Sequence, residues 1–93
     1  MFEVTKDPSA DLDYQLDWSL WLGMDTITES TWSVPAASEL VTHDGAVDGA
    51  GKKTTIWLRG GNGGTSYYLV TNHITTAAGR EDDRSLRVTV VDR

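Results

Sequence analysis

The sequence predicts an all-β sandwich of about seven antiparallel strands, on three observations. Apolar residues recur at every second position in several separate segments, which is the period of a half-buried strand. Turn-forming residues divide these segments at intervals of roughly 8–12 residues, as in a sandwich. Thr and Val are abundant throughout, and no stretch keeps a 3.6-residue period. The closest to a helix is Asp17 to Met24, which is too short to insist on.

Taken in order, residues 1–11 form either an N-terminal arm or a first edge strand, and residues 12–93 form one sandwich domain. The lead Asp7-Pro8-Ser9-Ala10 favours an arm. In Asp13-Tyr14-Gln15-Leu16-Asp17-Trp18 the even positions are apolar, so Tyr14, Leu16 and Trp18 face a core. Thr26 to Val34 carries Ile27, Trp32 and Val34, which share a face only if a bulge falls near Glu29–Ser30. Pro35 ends that strand, because proline cannot donate to a central ladder. Ser38 to His43 reads as a short edge strand, followed by a long loop from Asp44 to Gly51.

The later elements are clearer. In Thr54 to Arg59, Ile56 and Leu58 point one way and Trp57 the other. Gly60-Gly61-Asn62-Gly63-Gly64 makes a turn that needs positive φ. Ser66 to Thr76 places Tyr68, Val70 and Ile74 on one face together with Asn72. Gly79 and the charged run Arg80 to Arg84 form the last hairpin, in which the two arginines either pair with Glu81, Asp82 or Asp83 or join them in a polar rim for a neighbouring subunit. The final strand, Arg84 to Asp92, turns Leu86, Val88 and Val90 inward.

Within Gly64-Thr65-Ser66-Tyr67-Tyr68-Leu69-Val70-Thr71, a Gly-Thr turn enters a strand with a Tyr near its start. The pattern resembles the penultimate strand of immunoglobulin-like and fibronectin-type domains. There the Tyr anchors a corner by hydrogen-bonding back to the chain, and Tyr68 has the matching parity.

Composition narrows the function. Ninety-three residues suffice for one domain and not two. Without cysteine there are no disulfides or thiolate metal sites. No apolar run approaches the ~18 residues of a membrane helix, and the first residues lack the pattern of a signal peptide. Synthesis in a cytoplasm is the expectation. The net charge of −6 is uneven, with ten acids against Lys6 alone in residues 1–48 and seven bases against four acids thereafter. An acidic total argues against nucleic acid, whose phosphates reward clustered Lys and Arg.

The residues that chemistry would need are not arranged for it. Asp11, Asp13 and Asp17 alternate with core positions and lack a Gly-containing ligand loop, so a solvated face is expected rather than calcium. His43 and His73 have no third ligand at useful spacing and read as surface histidines. The glycine run lacks the Lys-Ser/Thr of a phosphate loop, and no nucleophile elbow is present. No cofactor, metal or catalytic residue is expected.

Tryptophans carry the functional hint. Trp18 and Trp32 fit the core parity, and truncating Trp32 to Ala is expected to cost roughly 3–5 kcal/mol. Trp21 lies in the apolar loop Trp21-Leu22-Gly23-Met24, and Trp57 faces away from its core neighbours. Exposed aromatics anchor interfaces, so Trp21, Leu22, Met24, Trp57, Arg80 and Arg84 are the candidate protein-contact residues.

Several segments together resemble a family of small tailed-phage proteins. They are Lys6-Asp7-Pro8 leading into Leu12-Asp13-Tyr14, Asp17-Trp18-Ser19-x-Trp21-Leu22, Asp25-Thr26-Ile27, Ser30-Thr31-Trp32-Ser33-Val34-Pro35 and Thr55-Ile56-Trp57-Leu58-x-Gly60-Gly61. The closing match runs from Thr71-Asn72-x-Ile74-Thr75-Thr76 through Gly79-Arg80-x-Asp82-Asp83-Arg84-Ser85. The departures are the loop at Asp44 to Lys53 and His73, where a basic residue is expected. The resemblance implies a non-enzymatic virion structural protein, of a kind including fibre–tail adaptors. It implies other virion proteins of tail, neck, fibre or capsid as partners, in multiple copies, with neither nucleic acid nor membrane. An adaptor joining tail or neck to fibres is the leading expectation. A capsid decoration protein is the alternative within that class, and a carbohydrate- or cell-surface-binding module using Trp21 and Trp57 is the alternative from another.

Overall fold

The structure, a computed structural model, describes residues 2–35, 39–62 and 67–91. Among these residues seven strands form: β1 (Phe2–Lys6), β2 (Asp11–Asp17), β3 (Ile27–Ser33), β4 (Leu40–Val47), β5 (Lys53–Gly60), β6 (Tyr68–Thr76) and β7 (Glu81–Val90). One helical turn, α1 (Ser19–Leu22), lies between β2 and β3. The strands make a four-stranded sheet in the order β1-β7-β6-β3 and a three-stranded sheet in the order β2-β5-β4. The fold is an all-β sandwich. Strands 7-6-3 and 2-5-4 stand in the order of G-F-C and B-E-D in an immunoglobulin sandwich. The first strand pairs in parallel with β7 instead of with β2.

Alternation builds the core. β6 buries Tyr68, Val70, Asn72, Ile74 and Thr76 and turns the residues between them outward. Leu16 from β2, Trp18 just after it, Ile56 and Leu58 from β5, and Leu86, Val88 and Val90 from β7 meet them. These are the inward positions expected from the sequence. Tyr14 is half-buried at the edge. Trp32 is also only partly buried, packed against Gly45, and among the described residues its Nε1 has no hydrogen-bond partner. Its truncation therefore belongs below the cost of a full core tryptophan, because part of the ring is already in water.

Two boundaries depart from expectation. β4 continues to Val47, so the long loop shrinks to the residues around Asp48–Lys52. A bulge makes this possible: between His43 and Ala46 the register slips by one residue, with Asp44 at φ 52°. Asp tolerates that region better than most residues. The start of the expected strand, Ser38, lies outside the described residues. β7 begins at Glu81, so the acidic run is strand and the turn is confined to Ala77–Gly79. The reason is His73, which stands directly across from Asp83. Its Nδ1 lies 2.5 Å from the Asp83 carboxylate and its Nε2 2.9 Å from Glu81, which offsets repulsion between neighbouring acids.

The bulge in β3 falls between Ile27 and Glu29, slightly earlier than expected, and it does bring Ile27 and Trp32 to one face. Gly60 and Gly61 adopt φ 74° and 98°; a Cβ on Gly60 would lie 2.7 Å from the Glu39 carbonyl oxygen. Gly63 and Gly64 lie outside the described residues. Tyr68 anchors this corner as expected: its hydroxyl accepts from Asn62 N–H at 2.8 Å and donates to the Glu39 carboxylate at 3.0 Å.

Candidate docking surface

Five of the six candidate contact residues gather at one end of the sandwich, where β2 leaves its sheet. Trp18 closes that end of the core and is fully buried. Its Nε1 donates to Asn72 Oδ1 at 3.1 Å and Thr54 Oγ1 at 3.3 Å. Thr54 in turn donates to Asn72 Oδ1 at 2.7 Å. The Asn72 amide group donates to Ser30 Oγ and to the Thr31 carbonyl. Every donor of this buried group is therefore satisfied, and it ties the residue following β2, together with β5, to β6 and β3 across both sheets.

From Trp18 the chain turns into α1. Ser19 N–H donates to the Asp17 carboxylate at 2.9 Å, and the Ser19 hydroxyl bonds the same oxygen. A helical turn directs Trp18, Trp21 and Leu22 to one side, the i, i+3, i+4 pattern, and leaves Leu20 on the other. Trp21 packs edge-to-face on Trp18 at 5.6 Å, and Leu22 is buried at 3% exposure. Leu22, expected as a contact residue, thus belongs to the core.

Three cations hold this turn from outside. Arg80 lies 4.3 Å over the Trp21 ring, donates to the Leu22 carbonyl at 3.0 Å, and pairs with Asp25 at 3.1 Å. Arg84 lies 4.1 Å over Trp18 and donates to the Asp17 carbonyl. Lys52 Nζ donates to the Gly23 and Asp25 carbonyls at 2.7 and 2.6 Å. A short helical turn leaves its last carbonyls without internal partners, and cations satisfy them. The expected pairing of Arg80 and Arg84 with the acids of their own hairpin is replaced by this one. Glu81 and Asp83 are paired with His73 instead, and the loop carbonyls offer the arginines acceptors in a less exposed place.

Asp25 completes the latch. Its side chain is 8% exposed and accepts from Thr26 N–H, Ala78 N–H and Arg80 Nε. Its carboxyl is held at about 2, chiefly by the Thr76 hydroxyl; burial opposes this, and the Thr26 and Ala78 N–H groups and Arg80 lower it further. The loop carrying α1 is thereby fastened to the β6–β7 turn. What remains outside is apolar: Leu20 and Met24 are fully exposed, at 102% and 101%. Leu20 and Lys52 were not foreseen. The helical spacing from Trp18 is the signal that would have found Leu20.

Trp57 is elsewhere. It stands 36% exposed in the middle of the outer face of β2-β5-β4, between Asp13 and His43 in register. His43 Nε2 and Nδ1 each lie 2.7 Å from a carboxylate, of Asp11 and Asp44 respectively, and its ring centroid is 6.0 Å from that of Trp57. Those carboxylates raise the His43 pKa above its ordinary value, as Asp83 and Glu81 raise that of His73. Trp21 and Trp57 do not form one platform, since Trp21 is covered by Arg80 and packed on the core. No group of three or more His, Cys, Asp or Glu among the described residues is placed to hold a metal ion. No helix among them is long and apolar enough to cross a membrane.

The fold, together with sequence similarity along nearly its whole length, defines a tail-related structural protein of a bacteriophage. The chain belongs to the family described as Podophage GP4 fiber-tail adaptor protein gp77, whose profile matches residues 6–89. That span includes all of β2 to β6 and most of β7, and it agrees with the resemblance drawn from the sequence. No curated protein matches the chain by sequence.

Proposed function

We propose that this protein is a non-enzymatic connector that joins tail or neck components to fibres, and that the α1 end is one of its contact surfaces. The observation carrying the reading is the pair Leu20 and Met24, fully exposed on a turn whose own chain already satisfies its carbonyls. Such a turn loses little freedom on binding, so apolar burial is not offset by ordering the loop. Two protruding aliphatic side chains on a rigid base are suited to a preformed apolar depression on a partner. Several copies around a tail would add their separate contacts. The family description supports an adaptor over a capsid decoration protein. The covered Trp21 ring removes the paired platform that carbohydrate binding would use.

The test is a double variant, Leu20→Ser with Met24→Ser, introduced into the phage. Its expected outcome is an unchanged melting temperature of the isolated protein with particles that lose either this protein or their fibres. Particles with the full complement of both would reject the α1 end as a contact surface.

A further inference from the structure

The four edges of the two sheets are built differently. On one side of the sandwich, β3 and β4 each carry a bulge and pack on one another, with Trp32 against Gly45. Bulges of this kind are a standard way to keep an edge from pairing with foreign strands. On the other side β2 is regular, pairing with β5 over seven consecutive positions from Asp11 to Asp17 without a shift. It ends its sheet, and no described strand pairs with its outer side. In the immunoglobulin constant arrangement that side is taken by the first strand, which here pairs with β7.

Side chains along β2 say what would fit beside it. Leu12 faces inward by register, opposite the fully buried Leu58, yet it is 45% exposed. Tyr14, the next inward residue, is half-buried. Leu12 is thus left open to solvent, whereas the Tyr14 hydroxyl donates to the Thr5 carbonyl of β1 at 3.5 Å. The outward positions are Asp11, Asp13, Gln15 and Asp17. Asp11 is engaged with His43 and Asp17 with Ser19. Asp13 has no ion-pair or hydrogen-bond partner among the described residues.

We propose that β2 is a strand-addition site, completed by an extended segment of another virion protein whose Lys or Arg residues alternate with apolar ones. The cations would face Asp11 and Asp13 across the ladder, and the apolar residues would cover Leu12. Main-chain hydrogen bonds supply affinity in this mode, and the alternating side chains supply selection. A second copy of β2 is a poor occupant, because antiparallel pairing sets acids near acids, and like charges across a ladder repel. The proposal rests on the adaptor reading and gives the connector a second surface, away from the α1 end.

The test compares amide hydrogen exchange in the purified protein and in particles that contain it, together with the variant Asp13→Lys. Amides on the free side of β2 should exchange rapidly in the isolated protein and slow on the order of a hundredfold in the particle. Asp13→Lys should leave the melting temperature unchanged and reduce retention in particles roughly tenfold. Equal exchange in both settings would overturn the strand-addition site while leaving the adaptor reading intact. Protection that rises with concentration in the isolated protein would instead make the occupant a second copy, against the proposal. Absence of the protein from particles would overturn the adaptor reading, and this site with it.

Discussion

The two ends of the sandwich use the same device to different effect. At the α1 end Lys52 and Arg80 donate to loop carbonyls from outside, and the apolar Leu20 and Met24 are left wholly in water. At the opposite end Lys6 does the equivalent from inside. It is 1% exposed, and its Nζ donates to the Gly60 and Asp7 carbonyls at 2.7 and 2.8 Å. Burial pulls its pKa down, with Asp7 and Asp11 pulling it back up. The apolar residues near that end, Leu12, Val41 and Val91, are exposed by 41–45% only. The end of a sandwich therefore does not require bare aliphatic side chains. Those at α1 are a local feature, and the clamp beneath them keeps them from folding back.

Removing Trp18 is the strongest way to break this comparison. Trp18→Ala should destabilise the protein by about 3–5 kcal/mol, because it empties the core under α1 and strips a donor from Asn72 and Thr54. Chemical denaturation would show it, and the α1 end should be lost with the core. Next comes the other end. Lys6→Met should cost about 1–3 kcal/mol, since the Gly60 and Asp7 carbonyls lose the ammonium that satisfies them. Binding through Leu20 and Met24 should survive that change, which would confirm that the ends act separately.

A smaller effect follows from unlatching the loop. Asp25→Ala should lower the melting temperature modestly and raise amide exchange at Ala78 and Arg80, with the sandwich intact. The pH dependence sharpens the point. With its carboxyl at about 2 against an ordinary 3.8, Asp25 contributes stability above the ordinary value that is lost as pH falls toward 2. His43 and His73 act in the opposite sense. Their raised pKa values contribute stability fully present below the ordinary 6.5 and lost as pH rises through the raised values. Melting should therefore be highest in mildly acid solution, and replacing both histidines with Gln should flatten only the decline toward higher pH.

The sequence was readable where one residue's neighbours along the chain decide its place. The alternation in β2, β5, β6 and β7 named Leu16, Trp18, Ile56, Leu58, Val70, Leu86 and Val88 as core. It also set Trp57 outside. It was not readable where a partner distant in sequence decides. The extension of β4 depends on a bulge at Asp44, and the acidic start of β7 depends on His73 across the ladder. Arg80 and Arg84 chose acceptors 55 to 67 residues away over the acids beside them. Of the candidate surface, its location was legible from Trp21 and Met24. Its principal residue, Leu20, required knowing that a single helical turn forms there.

The measurement that bears most directly on the adaptor reading is cryo-electron microscopy of the phage that encodes this protein. The account predicts density for the sandwich where tail meets fibre, with Leu20 and Met24 buried against a neighbouring protein. Density spread over the capsid shell, or a tail position in which the protein touches no fibre, would contradict it.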